Sequence, residues 1–326
     1  MISIKKYNKS DKESWDQFVE SSKNATFLFK RDFMDYHSHK YDDFSLMIYK
    51  DTKLIGLFPC NIDENIIHSH QGLTYGGIIV DNELKFAHFF QIFYNILKYF
   101  FESGYIKILI KQIPKIYNSG FNDEIDYFSF VSDGKLYRRD IISVIDLQKK
   151  FKISNDRIQG YKRGLRNKLK FLEVDKLDDF WKKILIPTLS SKHSVSPVHT
   201  LKEISLLKNN FKRNIRQFNV YHNDKIVAGT TIFQTKNVIH VQYIGSDLNK
   251  NHLGSIDFLF YNLITDTFSE FNFFDFGTSN ESNGKKINSG LLYWKEGYGA
   301  RTHTQDFYEI LTSNFNKLND LFINPK

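Results

Sequence analysis

The feature of this chain that most constrains its fold is an internal repeat. In the first half, residues 44–62 alternate in polarity on both sides of a short polar turn at 51–53, as the strands of a β-hairpin do. In the second half, residues 218–233 show the same pattern around a polar turn at 223–225. A pattern that recurs in this way indicates that one supersecondary unit is present twice.

The two hairpins align with Tyr49 on Tyr221, and the repeat continues beyond them. Each hairpin is followed by a strand pattern, an apolar helix pattern that contains Tyr-Asn and two aliphatic residues, and a further strand pattern. These segments are 66–80, the helix around Tyr94–Asn95 and 105–110 in the first half, and 238–247, the helix around Tyr261–Asn262 and 272–277 in the second. Helical patterns precede the hairpins at 12–23 and 29–37, and at 157–170, 178–193 and 201–211. We therefore predict two copies of one α/β unit, with a boundary near residues 146–156.

Composition indicates an ordered globular protein. Hydrophobic residues make up 41% and aromatic residues 16% of the 326 positions, which is enough for two packed cores. Residues 1–16 contain no apolar run of the signal-peptide kind, and the most apolar stretch, 86–101, is too short and too often interrupted to span a membrane. The single cysteine, Cys60, cannot form an internal disulfide. We expect a cytoplasmic protein.

The net charge of +8 favours an anionic partner. Much of this charge lies in residues 157–170, which contain six basic residues and no acidic one. The segment has two interpretations, a solvated helix face or a surface that contacts phosphate, and the sequence leaves both open.

A strand pattern at residues 272–277 ends on a glycine and a run of short polar side chains. Asp275 lies inside the aromatic part of this strand, where a buried carboxylate needs a basic or backbone partner. Gly277 allows the backbone to turn away, and the residues that follow can hydrogen-bond a ligand. These residues are Thr278, Ser279, Asn280 and Glu281. The same composition is also typical of a surface loop.

The order hairpin, strand, helix, strand resembles the core of the GNAT superfamily of N-acyltransferases. Residues 274–300 resemble, more specifically, the C-terminal signature of its Fem-like branch, in which two GNAT units are fused. In that signature a strand ending in Asp-x-Gly, here 275–277, is followed by a polar loop, a short helix and a Lys-x-x-Phe/Tyr-Gly segment, here 295–299. Residues 69–77 and 196–200 resemble further signatures of Fem-like bacterial acyltransferases associated with cell-surface polysaccharides.

The resemblance implies an α/β fold of two tandem GNAT-like units, each with a mixed central sheet and flanking helices. It implies a GNAT-like domain at 1–150 and a second one at 151–326 that holds the active site. The implied activity is transfer of an acyl group to an amine acceptor, such as an amino sugar or nucleotide-sugar used in surface glycan synthesis. In a GNAT unit two central strands separate and leave backbone groups for the donor and the acceptor, which would place Thr278, Asn280 and Glu281 at the acceptor pocket.

The identity of the donor stays open. Coenzyme A-dependent GNAT enzymes carry a glycine-rich turn before the central helix, where consecutive amides hold the pyrophosphate. This chain has NKNHLGS at 249–255, in which Asn249, Gly254 and Ser255 match that turn and His252 departs from it. The donor is therefore acetyl-CoA or another acyl-CoA, or an aminoacyl-tRNA as in Fem-like relatives. No metal is implied.

The transfer needs a base, an acid and donors for developing negative charge. By resemblance, Asp275, Glu281 or His199 is the base, Tyr243 gives a proton to the leaving group, and Lys295 stabilises an oxyanion or a donor phosphate. Gln242, next to Tyr243, is a candidate substrate contact.

In the first half, the glycine-rich segment 69–77 supplies His70 and Tyr75 as candidate contacts to the acceptor. A bulged strand that needs glycine for its shape is the competing interpretation. His68 and His70 share a strand face, but no third ligand follows at metal-binding spacing.

Two other classes of function stay possible. The chain is a nucleic-acid-binding protein if residues 157–170 supply its main activity, although no sequence-reading motif accompanies them. It is a non-catalytic scaffold if the Fem-like fold has lost its chemistry.

Overall fold

The computed structural model describes residues 2–193 and 195–322. The chain packs into two compact units, one of Met1–Asp140 with Thr304–Lys326 and one of Ile141–His303. It passes from the first unit to the second within the strand Lys135–Asp146 and returns within the strand Arg301–Leu311. Residues at the carboxyl end therefore pack with the first unit although they follow the second along the chain.

The first unit contains two sets of strands around one core. In one set, Ile2–Lys6, Leu46–Lys50, Lys53–Phe58 and Ile79–Val80 lie in that order. In the other set, residues 304–311 are followed by Lys107–Lys111, Ile66–His68, Asn61–Asp63 and Asp42–Asp43. The main helices are Lys12–Ser21, Arg31–Met34, Phe86–Glu102 and Glu124–Val131. The long helix Phe86–Glu102 buries an apolar face, from Phe89 to Phe100, in this core.

The second unit is one mixed sheet with helices on both faces. Its strands lie in the order Lys170–Val174, Ile215–His222, Lys225–Gln234, Val238–Ser246, Phe273–Thr278 and then residues 142–146. The helices are Asn155–Arg166, a continuous helical segment over Asp178–Phe180, Trp181–Leu185 and Ile186–His193, then Leu201–Asn210, Lys250–Leu253, Ser255–Asn262 with its extension Leu263–Thr267, and Ser289–Glu296. A small hairpin of Asn280–Glu281 with Lys286–Ile287 follows the strand Phe273–Thr278 along the chain.

Local sequence signals explain where these elements begin. The helix Leu201–Asn210 starts at a capping box, in which the Thr200 side chain accepts from the Glu203 amide and the Glu203 carboxylate accepts from the Thr200 amide. The pairing satisfies two backbone donors that the first turn of a helix leaves open.

The two hairpins share a β-bulge at the same place. The extra residue is Ile55 in the first unit and Val227 in the second, just where the opposite strand reaches Tyr49 or Tyr221. The alignment of the two tyrosines in the sequence is therefore a structural equivalence, and the repeat extends to this irregularity.

The strand predicted over residues 66–80 is not continuous, so that prediction was wrong. It consists of Ile66–His68, which pairs in parallel with Lys107–Lys111, and Ile79–Val80, which pairs with the hairpin strand Lys53–Phe58. The residues between them form a loop in which His70 has φ 73° and Gly77 has φ 112°. These dihedrals interrupt an extended strand, and the apolar alternation of the segment did not reveal them.

The basic helix Asn155–Arg166 packs closely on the helix Ser255–Asn262, because Gly160 and Gly164 lie at their contact. A Cβ atom at Gly160 would lie 1.7 Å from Asp257 Oδ2. Arg157 on the same helix donates to Asp257 Oδ1 at 2.8 Å. Part of the basic segment therefore belongs to the interior of the second unit, and it is not a purely solvated helix face.

Among the described residues, no helix combines the length and apolar character that crossing a bilayer requires.

The close packing at Gly160 predicts a reversal of the usual helix propensity. Alanine in place of a helical glycine ordinarily stabilises a protein by about 1 kcal/mol. We expect Gly160→Ala to destabilise the protein by about 2 kcal/mol, because the new methyl group must displace Asp257. The free energy of unfolding in urea measures the effect. Gly290→Ala is the matched control, since a Cβ there meets only Asn288 Oδ1 at 3.8 Å, and its change should be close to zero or stabilising. Equal effects of the two substitutions would contradict the packing.

Candidate active site

Two neighbouring strands of the second unit separate after a short parallel pairing. Val238–Ser246 and Phe273–Thr278 pair over three residues, and the last pair is His240 opposite Asp275. Beyond this pair the first strand continues only along the hairpin strand Lys225–Gln234. The separation therefore begins at His240 and Asp275.

Bulges on both strands accompany the separation. On one strand Gln242 is the extra residue, because Val241 and Tyr243 pair with consecutive residues of the hairpin strand. On the other strand, the register against residues 142–146 shifts between Asp275 and Thr278. A bulge bends its strand and increases its local twist, which turns the two strands away from each other.

His240 and Asp275 form a hydrogen-bonded pair at the point of separation. His240 Nδ1 lies 2.9 Å from Asp275 Oδ2, and the Gly277 amide donates to Asp275 Oδ1 at 2.7 Å. Asp275 is 1% exposed, and a buried carboxylate needs hydrogen-bond partners. The contacts with His240 and Gly277 supply a partner for each of its oxygens. Since a carboxylate only accepts, a neutral imidazole in this position carries its hydrogen on Nδ1 and keeps the lone pair on Nε2. An imidazole oriented in this way can accept a proton at Nε2.

Gly277 fits this arrangement because of its backbone conformation. Its φ is 70°, in the left-handed region, and a Cβ atom would lie 3.3 Å from His240 Cε1. Glycine permits the sharp turn that returns the amide to Asp275.

A second pair, His199 and Tyr243, lies in the same unit. His199 Nδ1 is 2.5 Å from the Tyr243 hydroxyl oxygen, and the His199 amide donates to that oxygen at 3.2 Å. Trp181 packs edge-on against the Tyr243 ring at 4.9 Å. Burial raises the pKa of Tyr243 to about 12, so the hydroxyl keeps its proton at neutral pH and can donate it.

Both pairs lie on the same face of the sheet. Phe274 and Phe276 flank Asp275 and point to the opposite face. There they pack with Phe260 of the helix Ser255–Asn262, which we call the central helix. The His199 ring lies 6.5 Å from Phe233, the cross-strand partner of His240. The structure thus places His199, Tyr243, His240 and Asp275 on the face away from the helix Ser255–Asn262.

Gln242 lies between the two pairs, at the bulge. Its Oε1 atom is buried and has no hydrogen-bond partner among the described residues. A buried acceptor without a partner is costly, which fits the predicted substrate contact. That role stays a prediction.

Lys295 is buried at the end of the strand that carries Asp275. Its Nζ atom donates to the carbonyl oxygens of Gly277 at 2.9 Å and Thr278 at 2.7 Å. Burial lowers the pKa of Lys295 to about 8, although the negative charge of Asp275 opposes the shift. Its ammonium group therefore holds the backbone beside the candidate site.

A cavity of about 430 Å³ opens beside the separated strands, and we call it the slot. One wall is formed by Ile244, Gly245 and Ser246, which lie beyond the last parallel pair. The remaining lining comes from helices on either side: Thr188, Lys250, Ile256, Gly290, Leu291 and Trp294. The slot is mainly apolar and suits a slender ligand.

Three backbone amides around the turn predicted to bind pyrophosphate already have acceptors. The Asn249 amide donates to Asp247 Oδ1, and the amides of Leu253 and Gly254 donate to the carbonyl oxygens of Asn249 and Lys250. Ser255 is fully buried, and its hydroxyl oxygen has no partner in the described chain. The assignment of Asn249, Gly254 and Ser255 to a cofactor stays a prediction.

The polar loop after Gly277 uses its side chains to hold its own shape. The Thr278 hydroxyl accepts from the Asn280 amide, and Asn280 Oδ1 accepts from the Ile141 amide at 2.7 Å. Asn288 Nδ2 donates to Glu281 Oε1 at 3.2 Å. Thr278 and Glu281 are exposed beside the site, and their contact with an acceptor stays a prediction.

In the first unit the equivalent gap between strands is filled by the unit's own chain. The loop between Ile66–His68 and Ile79–Val80 bonds to Lys107–Lys111 through the Ser69 and Gly76 amides. His70 and Tyr75 of this loop are each 3% exposed. His70 stacks on His37, and the Tyr75 hydroxyl donates to Thr26. The predicted contact of His70 and Tyr75 with the acceptor stays a prediction. The open slot belongs to the second unit.

Sequence reasoning missed two residues of the site, His240 and Trp294. The missing signal for His240 was the register of two strands that are not consecutive in the sequence. VIH at 238–240 and FFD at 273–275 each place a polar residue after two apolar ones, so a parallel alignment of these segments brings His240 opposite Asp275. Trp294 carries no signal of its own in the sequence, and only the packing shows it at the slot.

Among the residues that the structure describes, no group of three His, Cys, Asp or Glu side chains is placed to hold a metal ion.

Three solved structures resemble this chain along most of its length. The crystal structure of FemX matches with a TM-score of 0.66 and 9% identity, and the match covers 97% of this chain and 99% of that one. L-PGS from Bacillus licheniformis, a lysylphosphatidylglycerol synthetase, matches with a TM-score of 0.57 and 12% identity over 92% and 91% of the two chains. A tandem GNAT protein from the clavulanic acid biosynthesis pathway matches with a TM-score of 0.53 and 9% identity over 96% and 99%.

These identities establish the fold alone. The chain has a Fem-like GNAT fold with two GNAT-like units, which confirms the fold predicted from the sequence. Among the neighbours this is a transferase fold. Neither a scan against protein-family models nor a search of curated proteins gives a match.

The buried Lys295 predicts a pH-dependent contribution to stability. The unfolded chain keeps the Lys295 proton up to its ordinary pKa of 10.5, whereas the folded protein releases it near a pKa of about 8. Between these values the unfolded state binds more protons, so the folded state gains stability as pH rises. We expect the unfolding free energy of the wild type, minus that of Lys295→Met, to rise by up to roughly 3 kcal/mol from about pH 8 to pH 10.5. Urea unfolding across this range measures the difference. A flat or falling difference would show that Lys295 is solvated.

Proposed function

We propose that this protein is an N-acyl- or N-aminoacyltransferase whose active site lies in the second unit. The observation that carries the proposal is the His240–Asp275 pair at the point where two parallel strands separate. The pair offers an oriented base beside an opening in the sheet, and the slot lies at the same opening. Reactant and catalytic group would meet there in a fixed geometry.

The slot fits the slender arm of an activated donor. Its apolar lining, with Trp294, Leu291 and Ile256, excludes water from a chain that lies along the open strand edge. The donor supplies an activated carbonyl, as a thioester in an acyl-CoA or an ester in an aminoacyl-tRNA.

Basic side chains beside the turn at Lys250–Leu253 fit the phosphates of such a donor. Asn167, at the end of the basic helix, donates to the His252 and Leu253 carbonyls and so fixes that helix against the turn. Lys162 and Arg166 on this helix are exposed, and neither has an ion pair within the described chain. Unpaired cations at this position would contact phosphate.

The residues of the site account for both proton transfers. As the acceptor amine forms its bond to the carbonyl carbon and the bond to the leaving sulfur or oxygen breaks, His240 Nε2 takes the proton of the amine. Asp275 stabilises the imidazolium that results. The Tyr243 hydroxyl gives a proton to the leaving group, and His199, hydrogen-bonded to it, is placed to return one.

The acceptor is proposed to be an amine on an amino sugar or nucleotide-sugar in surface glycan synthesis. The support for it is the resemblance of residues 69–77 and 196–200 to signatures of polysaccharide-associated Fem-like enzymes.

Aminoacyl transfer is the second candidate. It is favoured by the amides of Asn249, Leu253 and Gly254, which already have acceptors within the chain and so are not free for a coenzyme A pyrophosphate. The similarity to FemX supports the same direction. Two other functions stay possible, nucleic-acid binding without transfer and a non-catalytic scaffold. Donor-binding and turnover measurements distinguish them from both kinds of transfer.

Blocking the slot should weaken donor binding without loss of the fold. Gly290 lines the slot, and a larger side chain has room there because a Cβ meets only Asn288 Oδ1 at 3.8 Å. We expect Gly290→Phe to weaken donor binding at least about tenfold, which corresponds to 1.4 kcal/mol. The measurement is calorimetric titration with acetyl-CoA, coenzyme A and a charged tRNA mixture, at about 50 mM and about 200 mM salt.

Gly120→Phe is the control, since a Cβ at Gly120 has no neighbour within 4 Å. Binding that survives in Gly290→Phe would place the donor elsewhere. Binding of tRNA alone, lost at high salt and unaffected by Gly290→Phe, would indicate nucleic-acid binding in place of transfer.

Substitution of the base should reduce turnover and leave donor binding intact. We expect His240→Gln to lower kcat by about 10²- to 10⁴-fold, the usual contribution of a general base. Asp275→Asn should also lower kcat, because an amide has one acceptor oxygen, whereas the carboxylate accepts from both His240 Nδ1 and the Gly277 amide. Release of free thiol or deacylated tRNA, with nucleotide-linked amino sugars as acceptors, measures the rate. His222→Gln, in the hairpin of the same unit, is the control. Full activity in His240→Gln would remove His240 as the base and leave His199 as the candidate.

A further inference from the structure

Lys295 does not point its ammonium group at a substrate position. It lies in the last turn of the helix Ser289–Glu296 and is 3% exposed. Two of its three hydrogens go to consecutive carbonyl oxygens, those of Gly277 and Thr278, at 2.9 and 2.7 Å. A group used in this way is poorly placed to stabilise an oxyanion or to bind a donor phosphate.

The Gly277 residue links Lys295 to the catalytic pair. Its carbonyl oxygen accepts from Lys295 Nζ, and its amide donates to Asp275 Oδ1 at 2.7 Å. Asp275 in turn holds His240 Nδ1 through its other oxygen at 2.9 Å. The contacts form a continuous chain from Lys295 through Gly277 and Asp275 to His240.

The conformation of Gly277 needs support of this kind. It lies in the left-handed region at φ 70°, between a strand and a loop, where glycine is intrinsically mobile. Contacts on both its amide and its carbonyl group fix the turn. Without the ammonium group, two carbonyl oxygens would lose their partner and the amide would no longer be directed at Asp275.

We propose that Lys295 is a positioning residue, which fixes the turn at Gly277 and Thr278 so that Asp275 orients His240 with Nε2 as the base. The proposal deepens the proposed transfer reaction and rests on it for its role in turnover. The orientation of His240, however, is a property of the protein without substrate.

The burial of a charged group at this position is consistent with such a role. A buried lysine is costly unless it has partners, and burial lowers the pKa of Lys295 to about 8. An apolar side chain of similar length would avoid this cost but would remove the hydrogen bonds that Lys295 makes to the two carbonyl oxygens. The lysine therefore serves the backbone geometry at the site.

The test is the tautomer of His240 in Lys295→Met, measured by the imidazole nitrogen shifts of protein labelled with 15N-histidine. His240→Gln identifies the signal by its absence. We expect the wild type to show the tautomer with hydrogen on Nδ1, and Lys295→Met to show a mixture of both tautomers. Lys208→Met is the matched control, because Lys208 is also buried in the second unit and also donates to a carbonyl oxygen, that of Ile215 at 3.1 Å.

Kinetics separate positioning from direct contact with the donor. If Lys295 positions His240, Lys295→Met lowers kcat about 100-fold, the scale of a 1 Å misplacement, and leaves the KM for the donor unchanged. A rise in donor KM with an unchanged tautomer would assign Lys295 to a donor phosphate. A fall in kcat with an unchanged tautomer would assign it to the oxyanion. Either result would overturn the proposal.

Two further outcomes are defined. If Lys295→Met does not fold, Lys295→Gln keeps one donor to the carbonyl oxygens, and it should shift the tautomer partly; an unchanged tautomer in this variant would overturn the proposal. If the tautomer shifts in Lys295→Met but the wild type transfers nothing from any donor, Lys295 positions His240 as inferred and the proposed transferase function fails.

Discussion

The second unit depends on one constraint, the end of the parallel pairing at His240 and Asp275. The paired strands are held together for three residue pairs and then separate, and the sheet keeps its integrity because each strand continues along its other neighbour. Separated strands leave backbone groups that need other partners. One such partner is the Thr188 hydroxyl, which donates to the Ser246 carbonyl oxygen at 3.2 Å. The opening is therefore a stable part of the fold that keeps room for a ligand.

The two units treat the equivalent gap in opposite ways. In the first unit the third strand of the repeat is interrupted, and the inserted loop bonds to the neighbouring strand through the Ser69 and Gly76 amides. The loop also buries Leu73 and Tyr75 in that position. In the second unit the strand is continuous and bulged at Gln242, and nothing from that unit pairs with its far end on the open side among the described residues. A duplicated unit has thus kept one gap closed by the chain and one gap open.

The sequence predicted those features that depend on local patterns. Alternation and turn residues predict the two hairpins and the equivalence of Tyr49 and Tyr221. The capping box at Thr200 predicts the start of the helix Leu201–Asn210. All of these signals act within a few residues. It also showed that Asp275 needed a partner. It did not identify His240, because that partner depends on the register between strands separated by a helix. Likewise, the sequence did not show that the side chains of Thr278 and Asn280 make hydrogen bonds within their own loop. Hydrogen bonds inside a loop leave no mark in composition.

The spacing of Lys295 and Tyr298 explains why one short segment affects the whole site. Lys295 lies in the last turn of the helix Ser289–Glu296, and Tyr298 follows two residues after that helix ends. Trp294 of the same helix lines the slot. Lys295 holds the strand end that carries Asp275, whereas the Tyr298 hydroxyl donates to Asp257, in the first turn of the central helix, at 2.8 Å. Residues three apart near the end of a helix share one side of it, so a single segment fixes both the strand that carries Asp275 and a helix that borders the slot. The Lys-x-x-Tyr-Gly pattern therefore links the slot physically to the His240–Asp275 pair.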